Sequence, residues 1–238
     1  MADKYLSIIT NFGCHYSCPE CVVRNNNLKM TPTGEYSSRD ELWSTLYNDC
    51  ADCNWVSVSG GGDPLWQWPH HQKWWAHFFD TCRKLGRQTE LHTSYYDVKH
   101  DPDIMLFPFE RFDRVVYHLH HMDELDKIHR VGGEIVRVVF VVDDDMTEDE
   151  INGIADYVET SNEIDELSFR QRVDENYEST YHLHDFLKAV IRNAGGTLNS
   201  AITTPTIITV SCTTSIPISL IRSDSDVHRR KRLHQRES

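Results

Sequence analysis

The sequence has no excess of positive charge, since 24 lysines and arginines face 37 aspartates and glutamates in 238 residues, for a net charge of −13. Such an acidic chain is poorly suited to binding a nucleic acid backbone over a broad surface. Six basic and only three acidic residues lie within 222–238, so nucleic acid contact is predicted for this basic tail alone. The chain length is typical of one α/β domain.

Long apolar runs are also lacking. The one long uncharged stretch, residues 201–221, contains nine serines and threonines and two prolines, which argues against a membrane-spanning helix. The chain opens on Met-Ala-Asp-Lys, without a basic segment followed by an apolar one, so no secretory signal is predicted. We therefore expect a cytoplasmic protein with no membrane partner.

Cysteines number seven, an odd count. In a chain expected in the cytoplasm, such cysteines are more often metal ligands or inert thiols than members of a disulfide framework. Their spacing therefore carries more information than their number.

Short β-rich runs alternate with helical windows over residues 1–196. Strands are predicted over 5–10, 55–59, 87–94, 114–120, 134–142 and 166–173. Helices are predicted over 38–48, 70–85, 123–131, 147–160 and 179–193, with capping-box patterns at Ser38 and Thr147 and a glycine stop at Gly86. Six strand–helix units indicate a parallel sheet, either an open doubly wound sheet or an incomplete barrel.

The alternation ends after Gly196, so the core domain is predicted to be 1–196. Residues 197–238 form a threonine- and serine-rich segment, able to supply one or two terminal strands, followed by the basic tail, whose composition is typical of disorder.

Cys14, Cys18 and Cys21 lie in the loop that follows the first predicted strand. Three cysteines at this spacing in one loop can converge on a single centre. A [4Fe–4S] cluster normally takes four thiolates, so three would leave one iron open for a substrate or cofactor. The alternative is a zinc site whose fourth ligand is His15 or a distant histidine.

A second motif follows one strand–helix unit later, where Gly60, Gly61, Gly62, Asp63 and Pro64 form a glycine-rich turn after the second strand. In this order and setting, Cys-x3-Cys-x2-Cys and the glycine turn resemble the motifs of the radical S-adenosylmethionine (SAM) superfamily. Two positions depart from the family pattern. Asp63 stands where the family most often has glutamate, and Glu20 replaces an aromatic residue that usually packs near the SAM adenine.

The resemblance implies a partial (βα)6 TIM-like barrel with parallel strands, whose carboxyl edge holds a [4Fe–4S] cluster on the three cysteines and SAM on the open iron. Backbone of the glycine turn would receive the SAM amino group. It further implies an oxidoreductase or lyase that reductively cleaves SAM to a 5′-deoxyadenosyl radical for hydrogen abstraction, with flavodoxin or ferredoxin as reductant. The substrate is not identified. Activation of a glycyl-radical enzyme, nucleoside or deazapurine chemistry and peptide modification all share the cysteine motif.

Strand alternation predicts a polar barrel lumen, since every second residue of a strand lies on one face. The residues that share this face are Glu90, His92 and Ser94 on the third strand, Arg114, His118 and His120 on the fourth, and Ser168, Arg170 and Arg172 on the sixth. Of these, His118, His120 and Arg170 are the candidate cofactor contacts, and no catalytic residue is assigned.

Two alternatives stay open. Arg114, Arg137 and some of the histidines can simply lie at sheet ends or pair with the abundant carboxylates. The cysteines can instead serve a noncatalytic zinc or iron–sulfur binding module, in which Cys14, Cys18 and Cys21 stabilise the fold.

Overall fold

The computed structural model describes residues 4–18, 21–25, 27, 47–48, 53–131, 135–143, 145–172 and 207–211. Apart from residues 47 and 48, the predicted helix over 38–48 lies outside the described residues. So do the predicted helix over 179–193 and the basic tail.

Seven strands form a single sheet in which neighbours follow chain order. They are β1 (Tyr5–Ile9), β2 (Trp55–Ser59), β3 (Gln88–Thr93), β4 (Arg114–Leu119), β5 (Ile135–Val142), β6 (Glu166–Gln171) and β7 (Ile207–Ser211). The first six are parallel, and β7 pairs antiparallel with β6. The six predicted strands are confirmed to within two residues at each described end, and β7 is a terminal strand of the kind expected after Gly196.

The strand order runs from β1 to β7 without the reversal that defines a doubly wound sheet. Among the described strands, β1 and β7 do not pair with each other, so the sheet is open. An α/β fold with a sequential, open, mostly parallel sheet is compatible with a partial barrel.

One face of the sheet is apolar and is covered by helices α2 (Gln72–Leu85) and α3 (Glu148–Thr160). Helix α2 buries a stripe of large aromatic side chains: Trp74, Trp75, Phe78 and Phe79. Helix α3 begins with the predicted capping box, in which the Glu150 amide donates to Thr147 Oγ1 at 3.2 Å and the Thr147 amide donates to Glu150 Oε2 at 2.8 Å. Gly86 ends α2 in a left-handed conformation, as predicted.

Two helix predictions need correction. The segment Trp68–His71 is a separate 3₁₀ turn, and α2 begins only at Gln72. The predicted helix over 123–131 is a shorter 3₁₀ helix over Met122–Lys127, and its Glu124 carboxylate binds the preceding backbone. The four-residue helix α1 (Val22–Asn25) and the 3₁₀ turn Phe109–Arg111 were not predicted.

The opposite face of the sheet is polar and concave. Arg114 Nη1 on β4 donates to the Tyr5 hydroxyl on β1 at 3.2 Å, across the two intervening strands, which requires the sheet to curve around this face. The carboxyl ends of β1 to β4 meet at one edge of the concavity, where parallel α/β folds usually place ligands.

No helix in the described parts of the chain combines the length and the apolar character that crossing a membrane requires.

Candidate functional site

The cysteine loop, residues 11–21, leaves the carboxyl end of β1. Cys14 is exposed, while Cys18 and Cys21 are partly buried. The Cys21 amide donates to the Cys18 carbonyl at 3.2 Å, and α1 follows at once. Arg24 of α1 donates to the Ser17 carbonyl at 2.9 Å and also to the Cys18 carbonyl. The short helix thus holds the second and third cysteines of the motif in one turn.

The glycine turn, residues 60–64, packs directly against this loop. Gly13 and Gly62 form a parallel bridge, and the Asp63 amide donates to the Gly13 carbonyl at 2.7 Å. Gly62 has φ of +123°, and a Cβ there would lie 2.0 Å from the Gly13 oxygen. Glycine is required because the two motifs approach backbone to backbone.

The Asp63 side chain turns away from the edge into the core. Its carboxylate accepts the Ser94 amide at 2.6 Å, the Leu65 amide at 2.9 Å and the Thr93 hydroxyl. Burial raises the pKa of Asp63 to about 6, against the opposing effect of these hydrogen bonds. Pro64 is also buried, so among the turn residues it is the glycines that reach the surface. Asp63 therefore fixes the turn to β3.

Cys14 is the thiol of the loop whose acidity the surroundings change most clearly. Desolvation above all raises the pKa of the Cys14 thiol, while the Tyr16 amide, which donates to its Sγ at 3.4 Å, opposes this effect. Bound to a metal centre, the sulfur would be held as the thiolate, as generally happens when cysteine binds a metal.

His120 lies just after β4, beside the cysteine loop. Its Nε2 is 3.7 Å from Cys18 Sγ, and its ring lies 4.9 Å from the Tyr16 ring, centroid to centroid. Glu124 Oε2 accepts the His120 amide at 2.6 Å and the His121 amide at 3.1 Å. Sequence reasoning missed Glu124 and Arg24, since each acts on backbone atoms that only the folded loops bring within reach.

Below this edge, a chain of buried polar contacts joins β3 to β4. His92 Nε2 lies 2.8 Å from Glu90 Oε1, and His92 Nδ1 lies 3.0 Å from His118 Nε2. Burial lowers the pKa of both histidines, that of His118 well below its ordinary value. Strand alternation correctly predicted that these three side chains share a face.

Arg114 and Arg137 are paired with carboxylates, as the simpler alternative predicted. Arg114 Nη1 donates to Glu90 Oε2 at 2.8 Å, and its guanidinium lies over the Trp55 ring at 4.4 Å. Arg137 Nε donates to Glu166 Oε2 at 2.6 Å. These pairs lie toward the amino ends of their strands and form the floor of the concavity.

Replacing Glu90 with glutamine is expected to lower the free energy of unfolding by about 3 kcal/mol at pH 7, because the buried Arg114 charge loses a main partner. Burial opposes ionisation of Glu90, yet His92 and Arg114 together hold its pKa below its ordinary value. Its contribution is therefore present above the unfolded pKa of about 4.3 and is lost as the pH falls through the folded value. Urea unfolding at several pH values measures the effect.

Asp80 provides the matched control, because this exposed carboxylate pairs with Lys84 and Arg83 on the surface of α2. The Asp80→Asn variant is expected to unfold like the wild type, since exposed pairs add little. The free energies of unfolding of wild type and Glu90→Gln are expected to converge as the pH falls below about 4. A difference that stays constant from pH 7 to below pH 4 would contradict the assignment of a low pKa to Glu90.

Two other described cysteines lie apart from the loop. Cys53 precedes β2 at the amino end of the sheet, and Cys82 is buried on α2. Within the described ranges, no three histidine, cysteine or acidic side chains are grouped as ligands of a single metal ion. A cubane cluster places different demands on its site, because each thiolate binds a different iron atom.

Compared with models of known protein families, the chain has no match, and no curated protein matches it either.

Proposed function

We propose that this chain is a radical SAM enzyme, built on a partial (βα)6 barrel of the TIM type, with a [4Fe–4S] cluster on Cys14, Cys18 and Cys21. One observation carries the proposal: the cysteine loop and the glycine turn are bridged through Gly13 and Gly62 at the carboxyl edge of a parallel sheet. Two motifs that are far apart in sequence therefore form one site.

The donor set fits an iron–sulfur cluster. Three thiols lie in a single loop, where Cys14 is exposed and Cys18 and Cys21 are partly exposed, so a cluster can reach all three. With three thiolates, the fourth iron is left for SAM. When bound, the cluster and SAM supply a reductive cleavage that yields methionine and a 5′-deoxyadenosyl radical able to abstract hydrogen.

The residues of this chain bind and orient these groups. The exposed Gly60 and the partly exposed Gly61 and Gly62 are the parts of the turn open to a SAM amino group, while Asp63 and Pro64 anchor the turn. His120, fixed by Glu124 beside Cys18, is placed to contact SAM near the cluster, with His118 deeper in the concavity. A flavodoxin or ferredoxin is the proposed electron donor.

A specific observation favours a second candidate, a zinc-binding module. The 3.7 Å separation of Cys18 Sγ and His120 Nε2 is close to the roughly 3.5 Å that tetrahedral zinc imposes between a sulfur and a nitrogen ligand. His120 would then complete a Cys3His site and would serve folding rather than catalysis.

Anaerobic reconstitution separates the two candidates. The enzyme is expected to bind iron and sulfide in a ratio close to one, and after dithionite reduction to convert SAM into 5′-deoxyadenosine. A chain that takes up one zinc ion and no sulfide, and loses that zinc in the His120→Gln variant, would overturn the radical SAM proposal. So would a reduced cluster that never cleaves SAM.

A further inference from the structure

Arg170 differs from Arg114, Arg137 and Arg172, each of which pairs with a carboxylate. Arg114 pairs with Glu90 and Arg137 pairs with Glu166, whereas Arg170 makes no ion pair or side-chain hydrogen bond with any residue that the structure describes. Its Nε is fully shielded from solvent. An arginine remains charged in proteins, so within the described part of the chain this Nε belongs to a cation that no carboxylate binds.

The neighbouring carboxylate is already hydrogen-bonded to other residues. Glu90 is the carboxylate whose charge acts on Arg170, yet one of its oxygens binds His92 and the other binds Arg114. Arg137 adds positive charge on the other side of Arg170. The surroundings therefore leave a net positive potential where the Arg170 side chain meets the open concavity.

His118 adds a directional group to this region. Ionised Glu90 accepts hydrogen bonds only, so His92 donates to it from Nε2, and a neutral His92 then accepts at Nδ1 from His118 Nε2. A neutral His118 is left with Nδ1 as an acceptor.

We infer that Arg170 and His118 form a binding subsite for the substrate, which carries a carboxylate or phosphate group next to a hydrogen-bond donor. The anion would accept hydrogen bonds from the Arg170 guanidinium, and the donor group of the substrate would donate a hydrogen bond to His118 Nδ1. This inference rests on the proposed function, which places the cofactor beside His120, the residue that contacts the cysteine loop. His118 lies two residues before His120 along the chain, deeper in the concavity, where the substrate would lie next to the cofactor.

The first test measures anion binding with inorganic phosphate and, in parallel, acetate, by NMR titration of the His118 ring signals, assigned with a His118→Gln variant. Arg170→Gln is expected to weaken the binding at least about tenfold, the loss typical of a charge-assisted hydrogen bond. Arg172→Gln is the matched control, since Arg172 is exposed and paired with Asp143 at 3.2 Å. The anion that binds more tightly indicates the substrate group. Titrations identical in wild type and Arg170→Gln would overturn the subsite.

A stability readout separates binding from a structural role. Because an unpaired buried charge opposes folding, Arg170→Gln is expected to melt at the same temperature as wild type or higher. A lower melting temperature would show that Arg170 stabilises the fold, against the inference.

The last arm adds saturating SAM to the reconstituted wild-type protein. Phosphate or acetate binding that persists supports a substrate subsite, whereas displacement by SAM would assign Arg170 to the cofactor carboxylate and overturn the inference. If the protein builds no cluster but binds the anion through Arg170, the proposed function fails and the anion subsite remains.

Discussion

The Cys18→Ala variant is expected to lose SAM cleavage by at least about 100-fold, because removing a cluster ligand costs more than the 10–100-fold typical of outer-shell partners. Cys18 is the middle cysteine of the loop, held by the Cys21 amide and by Arg24 through its carbonyl. Two remaining thiolates cannot hold a cubane that already leaves one iron to SAM. The measurements are iron and sulfide per chain after anaerobic reconstitution, and 5′-deoxyadenosine formed after reduction.

Cys53→Ala is the control for this experiment. Cys53 precedes β2 at the amino end of the sheet, opposite to the edge that carries the cysteine loop. It is expected to bind iron and sulfide and to cleave SAM as the wild type does. If Cys18→Ala retained turnover under conditions where Cys53→Ala is also active, the assignment of Cys18 as a ligand would be wrong.

The strands could be predicted because their signals are local. β-branched runs mark strands such as β2 and β5, and a glycine turn ends β2. Period-two alternation placed Glu90, His92 and His118 on one face, where they contact one another. The capping box at Thr147 was equally readable, since both partners lie within one turn.

What the sequence did not reveal depends on distant backbone atoms. Glu124 reads as a surface acid of a short helix, yet it is 5% exposed and binds the two amides that precede that helix. The pairing of the arginines with carboxylates depends on the curvature of the sheet. This curvature brings β4 and β6 together, so that Arg114 Nε on β4 lies 3.5 Å from Glu166 Oε2 on β6. Alternation places side chains on a face but does not pair them.

The glycine turn also has a feature that the sequence did not reveal. The family resemblance predicts glycines so that a cofactor can approach the backbone. The structure gives Gly62 a second role, because its lack of a side chain lets the backbone of Gly13 pack against it. Asp63, which departs from the usual glutamate, is tied to Thr93, Ser94 and Leu65 in a space where an added methylene would displace these bonds.

The Gly62→Ala variant is expected to unfold more easily than the wild type by about 4 kcal/mol, the sum of a left-handed backbone cost and a severe overlap in a packed region. Its Cβ would lie 2.0 Å from the Gly13 oxygen, an atom that cannot move without breaking the 2.7 Å bond from the Asp63 amide. Urea unfolding measures the loss in the free energy of unfolding.

Gly86→Ala separates the two costs, because Gly86 also has a positive φ, +61°, but nothing lies within 4 Å of its added Cβ. This control is expected to lose only about 1 kcal/mol, the cost of the left-handed backbone alone. Since the Gly13 backbone carries the chain into Cys14, Gly62→Ala is also expected to bind less iron and sulfide on reconstitution, whereas Gly86→Ala binds as much as the wild type. Equal stability losses in the two variants would show that the contact between the cysteine loop and the glycine turn is not a tight one.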